Sequence, residues 1–492
     1  MNDQKNVLSG YPLVVYYLGL FSLLIGAMIL SPLFMLPFYP EDLSYATYFI
    51  IPAAIAFSFG VIILLFFKGR QKLHLEKKHD AILVLLTWIL AISLSALPLY
   101  LSKQMTYTQS FFEATSGYTT TGLTVSDVSQ TPKIFLLFRS LMQFYGGVGL
   151  ILLITSFIAD KAGMRLYNAE GHVDKLVPNL LRSARMILII YTIYIVIGII
   201  LYVIFGMPIF DAINHSISAV ATGGFSVKAQ SIGFYNSLAI EIITMVLMIL
   251  GGTNFFVHLL IMQRKFNLAF KHVEVKFLGL LIVIFVPLFV FSLMRFNSLS
   301  FVDALRIGGF HFLSSITTTG FQTVSSMQFF HSSLLFPLVI TMIIGGGIGS
   351  TAGGMKLFRV SLALKGTYWN LNDSYSNRKY VRTRFINKLG TKIKVDMDEV
   401  NHNYTFLFVY LFILCMGILI LTFAGYGFID SVFEFTSALG TIGLSYGVMS
   451  ANSSNLVLGV GIVGMMIARL ESYIIIVAIA KIIIDFKHKL IK

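Results

Sequence analysis

Cysteine and charged side chains are both scarce in this sequence. Cys415 is the single cysteine among 492 residues, which excludes a disulfide within the chain. Charged residues make up 12% of the chain and hydrophobic residues 57%, whereas soluble proteins carry about 25% charged residues. A soluble core could not bury so much apolar surface, so the composition indicates a protein that lies within a lipid bilayer.

The basic residues are distributed as expected for a membrane protein. The formal net charge of +14 is spread over short segments between apolar runs, which argues against a nucleic-acid partner. The connectors 68–78, 161–185, 264–276 and 356–402 are rich in lysine and arginine, and they share one side of the membrane if ten spans cross it. The opposite connectors are poor in both residues, so both termini are predicted to be cytoplasmic.

Ten apolar stretches are long enough to cross a bilayer, which takes about 20 residues. They are predicted at 12–36, 46–67, 81–101, 134–158, 186–205, 237–262, 277–294, 334–362, 404–424 and 456–484. The fold class that follows is an all-α integral membrane protein.

Four connectors on the side opposite the basic ones begin with an apolar segment that is too short to span. These segments are 107–117, 209–221, 301–316 and 429–439. Eleven helical residues reach about 16 Å, roughly half of a 30 Å hydrocarbon core. Each segment is therefore predicted to be a half-crossing helix.

Each half-crossing segment runs into the same pattern, in which a threonine is followed after one residue by a glycine. The four copies are Thr120-Thr121-Gly122, Thr222-Gly223-Gly224, Thr318-Thr319-Gly320 and Thr441-Ile442-Gly443. Non-helical backbone is tolerated at membrane depth only where it is buried or lines a cavity. Glycine permits dihedral angles that aim carbonyl oxygens inward, where they replace the hydration shell of a cation. These twelve residues are predicted to form a filter for a monovalent cation, mainly through backbone carbonyls.

The unit of span, half-helix, Thr-x-Gly turn and span occurs four times, with aligned glycines 102, 96 and 123 residues apart. Four such units predict tandem repeats around a pseudo-fourfold pore, preceded by two extra transmembrane helices. The predicted boundaries are a two-helix segment at 1–78 and repeats at 79–160, 161–264, 265–402 and 403–492. The third repeat contains a broken second helix and a cytoplasmic connector.

A polar residue precedes each aligned glycine by nine positions. These residues are Glu113, His215, His311 and Glu434. The favoured interpretation is that they hydrogen-bond within the scaffold of the pore loops and do not touch the ion.

The eighth span is interrupted by mostly small residues at 345–354. Glycine destabilises a helix by about 1 kcal/mol per residue, so this stretch is interpreted as a mobile gating loop. Close helix packing is the alternative, and it explains Gly146-Gly147 and Gly251-Gly252 well. The predicted gating residues of the loop are Gly345, Gly346, Gly347, Gly349, Ser350, Thr351, Gly353 and Gly354.

Arg469 lies near the middle of the last apolar stretch, where a charge costs about 2.5–3.5 kcal/mol on insertion scales. Glu471 is two residues further on and cannot share its helix face. Arg469 either faces the pore as part of the gate or pairs with another element, and the two interpretations are compatible. Its distance from Gly443 predicts that it lies at the depth of the gating loop.

At these motifs the sequence resembles the Trk/Ktr/HKT superfamily of potassium transporters over essentially its whole length. The four Thr-x-Gly loops match the four filter segments of that family, the stretch 345–354 matches its intramembrane gating loop, and Arg469 matches the arginine of its last span. The two extra N-terminal spans resemble the TrkH-type branch. The second loop departs from this pattern at Gly223, where the other loops have threonine or isoleucine.

The resemblance implies a potassium uptake pore in the bacterial inner membrane, with K⁺ as the transported ion and no enzymatic activity. It also implies a homodimer, in which each subunit has its own pore, on a cytosolic TrkA-like partner that binds a nucleotide (NAD or ATP/ADP). The basic connector 356–402 is predicted to dock that partner, although attraction to anionic membrane lipid explains its charge equally well.

Two other functional classes remain open from the sequence. A Na⁺- or H⁺-coupled symporter would also use broken helices, but such carriers usually contain two inverted repeats, whereas four repeats here run parallel. An intramembrane enzyme ranks lower, because the zinc-binding pattern His-Glu-x-x-His is absent.

Overall fold

The computed structural model describes residues 7–68, 72–74, 78–150, 180–375, 383–388, 391–470 and 472–490. Within these ranges six helices are long and apolar enough to cross a membrane, or up to eight if each sharply bent pair is one span. The predicted all-α membrane fold is confirmed.

Two helices precede the repeats, as predicted. They are α1 (Gly10–Leu30) and α2 (Ala46–Phe66), joined by short 3-10 turns. Gly19 and Gly60 lie so close together that a Cβ on Gly60 would approach the Gly19 carbonyl within 2.7 Å. Small residues therefore let the two helices pack antiparallel at short range.

Each repeat contains an outer helix, a half-crossing pore helix and an inner helix. Repeat 1 has α3 (His79–Leu101), α4 (Tyr107–Tyr118) and α5 (Lys133–Val148). Repeat 2 has α6 (Leu180–Ile204), α7 (Ile209–Val220) and α8 (Leu238–Gly252), followed by α9 (Phe255–Met262) and α10 (Phe266–Lys271). Repeat 3 has α11 (Val273–Phe296), α12 (Phe301–Ile316) and α13 (Ser332–Ile344), followed by α14 (Leu357–Ser374). Repeat 4 has α15 (Met397–Phe423), α16 (Phe428–Gly440) and α17 (Asn455–Arg469), followed by α18 (Ser472–Leu490).

The pore helices begin at residues that favour a helix start. Thr106 and Gln109 form a reciprocal capping box before α4, and Ser300 accepts a hydrogen bond from the Asp303 amide before α12. Pro208 precedes α7 and fixes a dihedral angle suited to helix entry. The observed pore helices match the predicted half-crossing segments within one residue at each end.

The four repeats form a closed ring. The inner helix of each repeat packs against the pore helix of the next, so α5 contacts α7, α8 contacts α12, α13 contacts α16, and α17 returns to α4. The last contact closes the ring and confirms the pseudo-fourfold arrangement. The glycine pairs let the inner helices of repeats 1 and 2 approach their own pore helices, because a Cβ on Gly146 or Gly251 would collide with the Tyr118 or Val220 carbonyl.

The inner helices are shorter than the sequence predicted. The prediction of one continuous span at 237–262 is wrong, because α8 and α9 meet at an angle of 107°. The span predicted at 456–484 is also bent, by 102° between α17 and residues 474–487. Helix α5 ends at Val148, and the rest of the predicted span 134–158 lies beyond Leu150, outside the described residues.

Two short β-ladders were not predicted from the sequence. β1 (Val7–Ser9) pairs in parallel with β2 (Lys72–His74), and β3 (Arg384–Lys388) pairs antiparallel with β4 (Thr391–Val395). The second ladder lies in the basic connector 356–402, where it packs near the start of α11. The described part of the connector therefore contains α14 and this ladder.

Candidate functional site: a carbonyl filter and the loop beneath it

All four pore helices end in the same hydrogen-bonded turn. The aligned threonine donates its amide to the carbonyl three residues before it, and the next residue donates to the carbonyl five residues before it. The first set of bonds joins Thr120 to Gly117, Thr222 to Ala219, Thr318 to Ser315 and Thr441 to Ala438, and the second joins Thr121 to Ser116, Gly223 to Ser218, Thr319 to Ser314 and Ile442 to Ser437. This pair of bonds defines a Schellman motif, which usually has glycine at the left-handed position. Here threonine occupies that position in every repeat.

The filter backbone alternates in handedness. The aligned threonines have φ between 49° and 56°, the aligned glycines have φ between 72° and 97°, and the residue between them is not left-handed in any repeat. Alternating dihedral signs turn successive carbonyls toward the same side of the chain, which suits a row of ion ligands. A left-handed threonine costs roughly 1–2 kcal/mol, and such strain persists where the surroundings fix the backbone.

The four filter segments touch one another in cyclic order. A Cβ added to any of the aligned glycines would lie closer than 3.0 Å to the middle carbonyl of the next repeat. The pairs are Gly122 with Gly223, Gly224 with Thr319, Gly320 with Ile442, and Gly443 with Thr121. The absence of side chains at these glycines is therefore what allows the four segments to close around one axis.

A polar cavity of about 410 Å³ opens at one end of this ring. The four aligned glycines all line it, together with residues that follow each filter segment, including Thr124, Ser226, Gln322 and Ser445. The cavity is thus a vestibule above the filter. No cluster of three or more histidine, cysteine, aspartate or glutamate side chains occurs among the described residues, so the ring of carbonyls is the candidate cation site.

The polar residues nine positions before the glycines hold the chain that leaves the filter. Glu113 accepts from Thr124 Oγ1 at 2.8 Å and from the Val125 amide at 3.0 Å. Glu434 accepts from Ser445 Oγ and the Tyr446 amide. His215 pairs with Ser226 Oγ at 2.9 Å, and His311 lies 3.5 Å from the Thr323 amide. The predicted scaffold role is confirmed in all four repeats.

Residues 443–447 also spell Gly-x-Ser-x-Gly, a pattern shared with the nucleophile turn of some hydrolases. Ser445 is hydrogen-bonded to Glu434 in the exit of the fourth filter segment. A nucleophile turn joins a strand to a helix, whereas this segment follows the pore helix α16. The pattern is therefore part of the filter scaffold.

Arg139 is a buried charge beside the vestibule that the sequence analysis missed. Its Nε donates to Glu113 Oε1 at 2.7 Å, and its Nη2 donates to Thr124 Oγ1 at 2.9 Å. The guanidinium also stacks 4.1 Å from the Phe225 ring centre, so it links repeat 1 to repeat 2. A lone arginine within a predicted span was the signal that could have identified it.

Gln143 completes the second filter segment, where Gly223 lacks a side chain. Its Nε2 donates to the Gly223 carbonyl at 2.6 Å, while its buried Oε1 has no hydrogen-bond partner among the residues that the structure describes. A Cβ on Gly223 would collide with the side-chain amide of Gln143. The space that a threonine or isoleucine side chain fills in the other repeats is therefore occupied by Gln143.

Gln143→Ala is expected to weaken discrimination between K⁺ and Na⁺, because the Gly223 carbonyl loses both its donor and its packing. Gly223→Thr should also impair the filter, since the new side chain collides with Gln143. The double variant Gln143→Ala/Gly223→Thr should recover part of the loss, because the deletion makes room for threonine. The ratio of K⁺ flux to Na⁺ flux, measured on the wild-type protein and these three variants, forms a double-mutant cycle. Additive losses in the double variant would contradict the proposed complementarity.

The loop at 345–354 packs against the filter on the side opposite the vestibule. Thr351 Oγ1 lies 2.9 Å from Thr222 Oγ1, and the Gly353 amide donates to Thr318 Oγ1 at 2.7 Å. A Cβ on Gly353 would collide with Thr441 Oγ1. The loop thus contacts the first threonine of three Thr-x-Gly segments. Thr351 and Ala352 of the loop are fully buried there. The loop therefore lies directly against this end of the filter segments.

The loop at 345–354 packs against the bend between α8 and α9. The Gly347 amide donates to the Gly252 carbonyl at 2.9 Å, and the Phe255 amide donates to the Gly349 carbonyl at 3.1 Å. Thr351 Oγ1 donates to the Gly251 carbonyl. A helix end leaves unpaired carbonyls and amides, and here the loop pairs with them. This explains why the chain bends at Thr253, although the sequence predicted a continuous span.

Arg469 lies at the level of the loop, at the end of α17. Its Nη1 donates to the Thr351 carbonyl at 2.9 Å, and its Nη2 donates to the carbonyls of Gly146 and Gly147. It therefore joins the loop of repeat 3 to the inner helix of repeat 1. With these contacts, the loop and Arg469 together reach all four repeats. Glu471 lies outside the described residues.

Fold and site together define a membrane protein with four pore-loop repeats arranged around one axis. Residues 48–485 match the model of the TrkH family, described as a cation transport protein, and the chain belongs to this family.

Known proteins resemble this chain over most of its length. An uncharacterized cation transporter of Methanocaldococcus jannaschii is 28% identical over 95% of both chains. The Trk system potassium uptake protein TrkG of Escherichia coli is 28% identical over 83% of this chain and 86% of its own length. The Trk system potassium uptake protein TrkH of Halomonas elongata is 30% identical over 72% and 74%. The crystal structure of the potassium transporter TrkH from Vibrio parahaemolyticus has the same fold, with a TM-score of 0.82 at 24% identity over 95% of this chain and 98% of that one.

Proposed function

We propose that this protein conducts K⁺ across the cell membrane through the ring of filter carbonyls. The observation that carries the proposal is the cyclic contact between each aligned glycine and the middle carbonyl of the next repeat. Such a ring supplies a ladder of oxygen ligands to a dehydrated cation. Relatives named as potassium uptake proteins support K⁺ as the transported ion.

Gating by the loop at 345–354 belongs to the same proposal. The loop would block an ion at this end of the filter, because it bonds to the hydroxyls of Thr222 and Thr318. Opening requires that these bonds break and that Thr351, Ala352 and Gly353 leave the axis. The left-handed glycines Gly345, Gly349 and Gly354 give the loop backbone conformations that few other residues adopt.

We further propose the assembly and orientation that the charge pattern favours. The loop, α14 and the hairpin β3–β4 would face the cytoplasm with both termini, since the basic connectors lie on that side. The subunit would form a homodimer with one pore in each chain, on a cytosolic TrkA-like protein that exchanges NAD or ATP/ADP. Movement of α14 would transmit that exchange, because the Leu357 amide at its start donates to the Gly346 carbonyl of the loop.

Flux measurements in liposomes test conduction directly. With K⁺ inside, Na⁺ outside and equal pH on both sides, the purified protein should carry K⁺ down its gradient and generate an inside-negative potential. A coupled symporter would instead need a second ion gradient, so K⁺ movement that stops without Na⁺ or a pH difference would overturn channel-like conduction. Liposomes without protein provide the baseline.

A further inference from the structure

A basic cavity lies away from the pore, where α11, α14 and the hairpin β3–β4 meet. Its volume is about 540 Å³. Its lining includes Lys271, Lys276, Lys365, Lys392, Leu280 and Leu364. The walls come from α11, α14 and both strands, with Lys271 from the end of α10, so the cavity is built by the tertiary fold.

Four lysines converge on this cavity, and none of the lining residues, all in the described part of the chain, is acidic. Burial, together with the nearby charge of Lys276, lowers the pKa of Lys365 below its ordinary value. Like charges brought together in a partly buried site repel one another. A bound anion would offset that repulsion, so the charges favour an anionic ligand.

The same cavity has a pronounced apolar side. Leu280, Leu364 and Phe385 are each more than half exposed, so apolar surface lies beside the lysines. Helix α11 begins at Val273, and Leu280 lies seven residues further on, about 10 Å along the helix axis. The lysines therefore lie at the end of a membrane span, while the apolar side continues toward the hydrocarbon region.

We infer that this cavity binds an anionic phospholipid, with its phosphate among Lys271, Lys276, Lys365 and Lys392 and an acyl chain along Leu280 and Leu364. Phosphate alone would satisfy the lysines, but it would leave the apolar side exposed. Basic pockets between membrane helices on the cytoplasmic side are suited to anionic headgroups. Binding of a phospholipid in this cavity does not depend on which cation the pore conducts.

The site adjoins the gate through one continuous helix. Helix α14 supplies Ser361, Leu364 and Lys365 to the cavity, and it starts directly after the loop at 345–354. A lipid bound there would fix the position of α14. In this respect the inference rests on the proposed gating function, whereas the binding test below does not.

The test measures lipid binding to the purified full-length protein in detergent by native mass spectrometry and thermal unfolding. Phosphatidylglycerol should bind and raise the melting temperature, whereas phosphatidylcholine with the same acyl chains and inorganic phosphate should not. The variant Lys276→Gln/Lys365→Gln should bind phosphatidylglycerol about 30-fold more weakly, which corresponds to ~2 kcal/mol. Lys394→Gln is the matched control, because Lys394 lies on the same strand as Lys392, pairs with Asp396 at 3.4 Å and does not line the cavity.

Several outcomes would overturn the inference. Equal binding of phosphatidylcholine would mean that the apolar side alone attracts lipid, and equal stabilisation by inorganic phosphate would mean that the ligand is a soluble anion. An equal loss in Lys394→Gln would mean that net charge alone matters. If the glutamine variant does not fold, Lys276→Arg/Lys365→Arg keeps both charges and should keep lipid binding, and its failure to bind would contradict a headgroup site.

Discussion

Replacing Arg469 with alanine is expected to raise cation flux by about tenfold or more. The guanidinium donates to the Thr351 carbonyl of the loop at 345–354 and to the Gly146 and Gly147 carbonyls of repeat 1. Alanine removes these donors together with a positive charge near a narrow path of low dielectric constant, where charges interact strongly. A barrier lowered by only ~1.4 kcal/mol corresponds to a tenfold increase in rate.

The variant Arg469→Lys separates the effect of the positive charge from the effect of the hydrogen-bond donors. Lysine keeps the charge, so most of the barrier should remain, but its single ammonium group cannot reproduce the planar fork of donors that reaches two elements. We therefore expect lower flux than in the alanine variant and a loop that is less firmly held. Hydrogen exchange at the loop amides would report that loosening. Arg264→Ala is a control, because Arg264 is exposed and lies beyond α9.

A purely structural ion pair makes the opposite prediction for Arg469. Removing the arginine would then leave a buried carboxylate unpaired and destabilise the protein by roughly 3–5 kcal/mol. Flux and melting temperature measured on the same Arg469→Ala sample distinguish the two roles. A large loss of stability without any gain of flux would contradict the barrier and the gate.

Gly320→Ser is expected to lower discrimination of K⁺ over Na⁺ by about tenfold, or ~1.4 kcal/mol, without unfolding the protein. A side chain at this position meets the Ile442 carbonyl of the next repeat, so it displaces one ligand of the ion. It also has to adopt φ near +83°, which costs roughly 1–2 kcal/mol. Gly122→Ser and Gly443→Ser should act in the same way through the Gly223 and Thr121 carbonyls.

Gly425→Ser provides a matched control for backbone strain. Gly425 has φ of +96° with nothing within 4 Å of an added Cβ, so serine is strained there but displaces no carbonyl. We expect a small loss of stability with unchanged ion preference. The ratio of K⁺ flux to Na⁺ flux in liposomes measures the ion preference of each variant, and its melting temperature measures the stability. If all three filter variants keep the wild-type preference, the carbonyl ring is not the selectivity filter.

The sequence alone predicted much of this architecture, because each repeat contains the same short segments and motifs. Half-length apolar segments predicted the pore helices, since a helix of about 16 Å cannot cross a 30 Å core. The shared Thr-x-Gly pattern predicted a non-helical turn with unusual dihedral angles at each aligned glycine, whereas the left-handed threonines were not predicted. The fixed offset of Glu113 and Glu434 indicated a scaffold contact, because each carboxylate reaches a residue only eleven positions further along the chain.

Contacts between distant segments could not be predicted in this way. Gln143 forms a hydrogen bond with Gly223, 80 residues away, and Arg469 forms one with Gly146, 323 residues away. Contacts over such separations leave no short pattern in the sequence. The bend after Gly252 escaped prediction for the same reason. Its apolar composition is that of a continuous span, and only the amides and carbonyls of the loop at 345–354 make a helix end stable there.

The sequence by itself determined the membrane location, the four repeats and the backbone turn of each filter segment, since hydrophobicity, length and glycine act locally. The tertiary structure decided how those segments close into a ring, which side chain fills the gap at Gly223, and where the loop at 345–354 lies. These features depend on carbonyls and side chains brought together by packing between repeats. Their geometry arises only when the four pore helices converge on one axis.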